Sequence, residues 1–213
     1  MRPRLDIALA ALVAVLLVVV LVVVSTGGSE SRPTLSLATS SATAGFDGAA
    51  LPEGIPAPLF TLTDQYGRRV SLASTRGHVA VLAFLYSTCG DTCVVIAQQI
   101  RGALEELPHP VPVLIVSADP AADTPAHVRS FLAEVSLSGR IQYLTGTPAQ
   151  LKRIWRAYKV KPAGAGRSEF DRYASVLLLD AQGRERDLFE QEQLTPESLA
   201  HDIGKLAGEP THP

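Results

Sequence analysis

Cysteine is scarce in this sequence: two residues in 213, at positions 89 and 93. Two cysteines four positions apart cannot staple a fold, which excludes the framework of a small disulfide-rich protein. Positive charge is not in excess either. Lysine and arginine number 19 against 21 aspartates and glutamates, giving a net charge of −2 and a pI near 6.2. No basic face follows from that balance, so nucleic acid is not expected as a partner. Internal repeats are absent, and no cysteine stands at the end of the N-terminal apolar stretch to receive a lipid.

What is present begins with that stretch. Residues 7–24 are an unbroken run of Leu, Val, Ala and Ile. A bilayer-spanning helix needs about 20 apolar residues, whereas the apolar region of a cleaved signal has only about 7–15. Arg2 and Arg4 precede the run and Ser, Thr and Gly follow it, so the positive-inside bias leaves residues 1–6 in the cytoplasm. The expectation is a single-pass anchor in the cell membrane, with the rest of the chain outside the cytoplasm. Residues 25–50, rich in Ser, Thr, Gly and Ala, read as a flexible tether.

Residues 51–213 carry the alternation of a folded α/β domain. Residues 60–63 and 69–72 flank Asp64-Gln65-Tyr66-Gly67 as a hairpin, and residues 175–179 and 184–189 flank Asp180-Ala181-Gln182-Gly183 in the same way. Residues 79–86 form a continuous apolar run of strand length, the mark of a buried central strand, and residues 113–116 form a second. Helices are expected over residues 91–107, 124–135, 147–158 and 195–206. Three of these have Thr at the N-cap and Pro at the first helical position. The order is hairpin, strand, helix, strand, helix, helix, hairpin, helix. It calls for a mixed central sheet with helices on both faces.

The chemistry gathers at "FLYSTCGDTC". Cys89 leaves the buried strand, and Cys93 falls in the first turn of the following helix. Unpaired N–H groups and the helix dipole there favour a thiolate, the form that attacks disulfides and binds metals. The spacing lets both sulfurs meet, to close a disulfide or to hold one soft metal ion. Of the five histidines, His78 opens the buried strand at its far end from Cys89 and out of its reach, and His109 sits between prolines. His127 and His201 read as surface residues on helices, and His212 lies in the C-terminal region. Trp155 and Tyr158 read as core packing. Asp119 and Asp123, either side of Pro120, read as turn and capping residues.

Four ordered motifs carry a resemblance. "APLFTLTDQYGRRVSLASTRG", "FLYSTCGDTC", "VSADPAADTP" and "LTGTPAQLKRIWRAYKV" are similar to segments of the Sco/SenC family over residues 56–206. That resemblance implies a thioredoxin-like fold, copper held as Cu(I) by Cys89 and Cys93, and a role in copper-site assembly in cytochrome c oxidase. The partner is then an oxidase subunit or another extracytoplasmic thiol or copper protein. The family's third ligand is a histidine eight residues before the aspartate of the last hairpin. Counting back from Asp180 lands on Arg172, and the family's prolines beside the cysteines are replaced by Gly90 and Val94. Arginine stays protonated and cannot ligate a metal. Two thiolates alone suit Cu(I), and a guanidinium beside them stabilises their charge. Arg172 is therefore expected to modulate the site. A second reading stays open, in which the pair works as a thiol–disulfide oxidoreductase without copper transfer.

Overall fold

The centre of the domain is built on two strands in which every residue is buried. The computed structural model describes residues 45–163, 169–171 and 174–208. The expected anchor at residues 7–24, the tether up to residue 44, and Arg172 lie outside the described residues. Among those described, no helix is long and apolar enough to cross a membrane.

In chain order the strands are β1 (Ala49–Ala50), β2 (Thr61–Asp64), β3 (Arg69–Ser71), β4 (Ala80–Leu85), β5 (Val113–Ser117), β6 (Gln142–Thr145), β7 (Ser175–Leu179) and β8 (Glu185–Glu190). The helices are α1 (Asp91–Glu106), α2 (Pro125–Glu134), α3 (Pro148–Ala157) and α4 (Pro196–Gly208). One sheet orders the strands β1-β8-β7-β4-β5-β6-β2-β3. β4, β5 and β6 run parallel, and the remaining pairs are antiparallel. Among the described residues the sheet is therefore mixed, as the sequence pattern required.

Side chains on a strand alternate between faces, and β4 divides accordingly. Val81, Ala83 and Leu85 join one core with α1, α2 and α4, including Ile96, Phe131 and Ile203. Ala80, Leu82 and Phe84 join the other with α3 and the β2–β3 hairpin, through Leu151, Ile154, Phe60 and Leu62. Both hairpins close with the same device. Asp64 accepts from the backbone N–H of Tyr66 and Arg68 and from the Arg68 guanidinium. Asp180 does the same for Gln182 and Arg184. Each turn ends in a glycine at positive φ, 82° at Gly67 and 76° at Gly183, where a side chain is strained.

Two strands escaped the sequence pattern. β6 has four residues with only Tyr143 and Leu144 buried, too short to show an alternation. β1 falls inside the stretch read as tether: Ala49 and Ala50 pair with Leu188 and Asp187 of β8. Just before it, fully buried Asp202 of α4 accepts hydrogen bonds from the N–H groups of Asp47 and Gly48 at 2.9 and 3.0 Å. Asp187 packs against this junction. A Cβ on Gly48 would lie 2.5 Å from its carboxylate, so only glycine fits. Burial first, and then the neighbouring Asp202, push the Asp187 carboxyl up to about 8.

Candidate functional site

β4 delivers the chain to the site and α1 carries it away. Leu85 is the last residue of β4 and pairs with Ser117 of β5, so the loop of residues 86–90 emerges at the carboxyl ends of two central parallel strands. The loop turns back on itself: the Cys89 N–H donates to the Tyr86 carbonyl at 3.2 Å. Gly90 then takes φ 85° and ψ −144° as the N-cap of α1, a conformation open to glycine.

Glycine has no side chain with which to cap, and the sulfur of Cys89 does so instead. Its Sγ accepts a hydrogen bond from the Cys93 N–H at 3.1 Å. One of the orphan donors of the first turn is thereby satisfied by the residue whose chemistry it favours. Cys89 and Cys93 are joined as a disulfide, with Cα atoms 5.9 Å apart. Both are buried, at 3% and 0% exposure. The sequence reading placed both sulfurs together at a helix start, and the structure puts them there.

The loop is held from beneath by Asp123. Its Oδ1 accepts from both the N–H and the hydroxyl of Ser87, at 2.6 Å each. Its Oδ2 accepts from the hydroxyls of Ser117 and Tyr143. Tyr143 also reaches the Leu85 carbonyl, and the Trp155 indole donates to the Ser117 carbonyl at 3.0 Å. Burial raises the Asp123 carboxyl above its ordinary range, opposed by the hydrogen bonds from Ser117, Ser87 and Tyr143. Burial and the adjacent Asp123 drive Tyr143 well above its own. This corrects the reading of Asp123 as a turn and capping residue. Asp119 does hold the turn, accepting from the N–H groups of Ala121 and Ala122. Thr124 is the side-chain cap of α2. Asp123 instead links the cysteine loop to β5 and β6, across sequence separations of 36 and 20 residues from Ser87 and Tyr143. No local pattern announces such a contact.

Among the described residues, no His, Asp or Glu donor completes a three-ligand cluster with the two sulfurs. His78, His109, His127 and His201 are exposed, and His127 bonds the Ala122 carbonyl through Nδ1. Trp155 and Tyr158 pack against the second core as expected, with the Tyr158 hydroxyl on the Pro58 carbonyl. The segment leading to position 172 meets the site two residues earlier. Phe170 is buried edge-on against Tyr86, whose carbonyl holds Cys89, with ring centroids 4.9 Å apart. Reduced, the pair offers two sulfur donors suited to Cu(I) or to disulfide exchange.

A model of the SCO1/SenC family matches residues 52–208. Protein SenC of Rhodobacter capsulatus is 27% identical over 152 residues, 68% of this chain and 67% of that one. Among the curated relatives the match spans between 31% and 67% of their own length. Bradyrhizobium japonicum ScoI, solved with copper bound, superposes with a TM-score of 0.55 at 28% identity, covering 71% of this chain and 99% of that one. BsSco, described as a member of the Sco family of cytochrome c oxidase assembly proteins with a disulfide switch, superposes with a TM-score of 0.60. It is 22% identical and covers 75% of this chain and 97% of its own.

Proposed function

The chain belongs to the SCO1/SenC family, and from that premise we propose that its reduced Cys89–Cys93 pair binds Cu(I) and assists copper-site assembly in cytochrome c oxidase. The observation that carries the reading is the sulfur pair itself: two buried cysteines at a helix N-terminus, one already accepting an N–H. ScoI with copper bound, on the same fold at 28% identity, supports copper as the cargo. An external dithiol must first reduce the disulfide, giving up two electrons and two protons and closing its own disulfide as Cys89 and Cys93 become thiols. Binding Cu(I) then releases two protons as both become thiolates. The domain is proposed to work outside the cytoplasm on an anchor formed by residues 7–24. Arg172, at the family's histidine position, leaves the thiolates to a soft monovalent ion and steadies their charge.

Copper titration of the reduced full chain tests this. One Cu(I) per chain at sub-micromolar affinity, lost in Cys89→Ser, is the expected result. Copper binding that ignores Cys89 overturns it.

The closed disulfide favours a second reading, thiol–disulfide exchange with a client protein. Cys89 attacks the client's disulfide, giving a mixed disulfide and releasing one client thiolate. Cys93 then attacks the Cys89 sulfur, closing the Cys89–Cys93 bond and releasing the second client thiolate. In Cys93→Ser the second step is blocked, so a covalent Cys89–client adduct accumulates if exchange is the activity. Its absence from membranes carrying the variant removes this reading.

A further inference from the structure

The near-even charge balance of the whole chain hides an uneven distribution. From residue 135 to residue 168 the sequence holds no aspartate or glutamate. Within that stretch α3 and the residues just after it carry Lys152, Arg153, Arg156, Lys159 and Lys161. Lys161 pairs with Glu169 at 3.3 Å, and Lys159 lines the same groove as the Glu185 carboxylate. Lys152, Arg153 and Arg156 have no acidic partner among the described residues, and the Arg156 Nε donates only to the Lys152 carbonyl. All three are exposed, on the side of α3 opposite buried Leu151 and Ile154. The helix dipole accounts for a cation in the last turn, which is Arg156, and not for Lys152 or Arg153.

Apolar surface borders these cations. Leu59 is 60% exposed, the most exposed large hydrophobic side chain among the described residues. It lines an open groove of about 310 Å³ together with Phe60, Ile154, Ala157, Tyr158 and Arg153. Tyr158 also borders a second groove, of about 250 Å³, lined by Val160, Leu188 and Lys159. Cations set among apolar side chains suit a membrane interface, where Lys and Arg hold anionic headgroups and the apolar groups enter the acyl boundary. An acidic protein would meet the same charges, and the anchor proposed above separates the two. Residues 25–44 reach at most about 70 Å even at full extension, so on that anchor a bilayer is always within range of the domain. The chain entering the domain also runs along this face, with Leu51 lining the second groove and Leu59 the first.

We propose that the outward face of α3, with Leu59 and the grooves beside it, docks on a bilayer surface rich in anionic phospholipid. Lys152, Arg153 and Arg156 meet the lipid phosphates, and Leu59 enters the boundary of the acyl chains. The choice of a lipid surface rests on the anchor at residues 7–24, whereas the cations and their apolar border stand without it. α3 packs on one face of the sheet, and Cys89 and Cys93 belong to the core on the other. Docking by α3 therefore leaves the sulfur pair clear of the bilayer and holds it in a fixed orientation.

The test uses Trp155, the sole tryptophan of the chain and a residue of α3, in the full chain bound to vesicles that contain spin-labelled lipid. Vesicles with about one-third phosphatidylglycerol should quench its fluorescence about twofold or more beyond vesicles of phosphatidylcholine alone. Sodium chloride at about 0.5 M should abolish the difference. Lys152→Gln, Arg153→Gln and Arg156→Gln combined should abolish it too, and since all three side chains are exposed their loss leaves the fold intact. Leu59→Ser should reduce it. Flotation with phosphatidylcholine vesicles reports the anchor separately, because neutral lipid offers the basic face no charge. A chain that fails to float there lacks the anchor, while salt-sensitive binding of the same chain to phosphatidylglycerol still upholds the face. Equal quenching in the two lipids, or quenching unchanged in the triple variant, overturns the proposal.

Discussion

Asp123 takes both hydrogen bonds that Ser87 can offer, from the backbone N–H and the hydroxyl, on a single carboxylate oxygen. Ser87 lies two residues before Cys89 and Asp123 begins the approach to α2. The cysteine loop is therefore fixed by a group that touches neither sulfur.

Asp123→Asn should reveal that dependence. All four groups around the carboxylate donate to it, so an amide N–H₂ on either side meets a donor. Chemical denaturation should show a loss of about 1–3 kcal/mol, and Ser87→Ala a smaller loss of about 1 kcal/mol. The thiol–disulfide equilibrium against glutathione should shift in Asp123→Asn even where the protein remains folded. An unchanged equilibrium would mean that the network supports the fold alone.

Opening the disulfide should leave the domain standing. The two half-cystines are only four residues apart, so closing that loop removes little chain entropy, at most about 2 kcal/mol. Thermal unfolding with and without reductant should show a modest fall in Tm and a transition that stays cooperative. Cu(I) added to the reduced chain should raise Tm again by mass action, and should not do so in Cys89→Ser.

Gly90→Ala probes the loop from another side. A Cβ at Gly90 would meet nothing within 4 Å, so sterics against neighbours play no part. The cost lies in the backbone, at φ 85° and ψ −144°, and should be about 1–3 kcal/mol in denaturant. Because the Cys89 cap on Cys93 depends on that turn, the substitution should also speed reduction of the disulfide by dithiothreitol.

Asp64 gives a pH dependence with a definite sign. Burial acts to raise its carboxyl, but hydrogen bonds from the backbone and guanidinium of Arg68 and the backbone of Tyr66 outweigh burial and hold it below 3.8. A carboxyl lowered by folding contributes stability above its unfolded value and loses it as pH falls through the folded one. The stability gap between the wild type and Asp64→Asn should be level from pH 5 to 8, and should close as pH falls below about 4. Denaturant midpoints across that range measure it.

The sequence was legible where periodicity, punctuation and chemistry coincide. The run over residues 79–86 marked β4, and Thr124-Pro125 and Thr147-Pro148 marked two helix starts to the residue. "DQYGR" and "DAQGR" marked two hairpins that share one turn. Cys89 and Cys93 could be placed because their spacing is local. β6 was too short, and β1 is only two residues in an Ala- and Gly-rich stretch. Asp123 and the cluster around Asp202 were invisible for a different reason. Their partners lie up to 36 and 155 residues away, and only the folded chain brings them together. Gly90 shows a subtler limit. Proline fixes φ near −65°, so the substitution seen at the family's proline position accompanies a different loop path, not a loss of rigidity alone.

The clip between Asp202 and the N–H groups of Asp47 and Gly48 has a mechanical side. If the chain is held in a membrane by residues 7–24, this clip is one joint through which a pull reaches the domain. The force passes into α4, whose Pro196 is packed so closely on α1 that a Cβ at Gly102 would lie 2.7 Å from its ring. Gly102 is in the back half of α1, and Cys93 is in its first turn. A pull entering at this clip would meet the contact between α4 and the back half of α1 before it met the sulfurs.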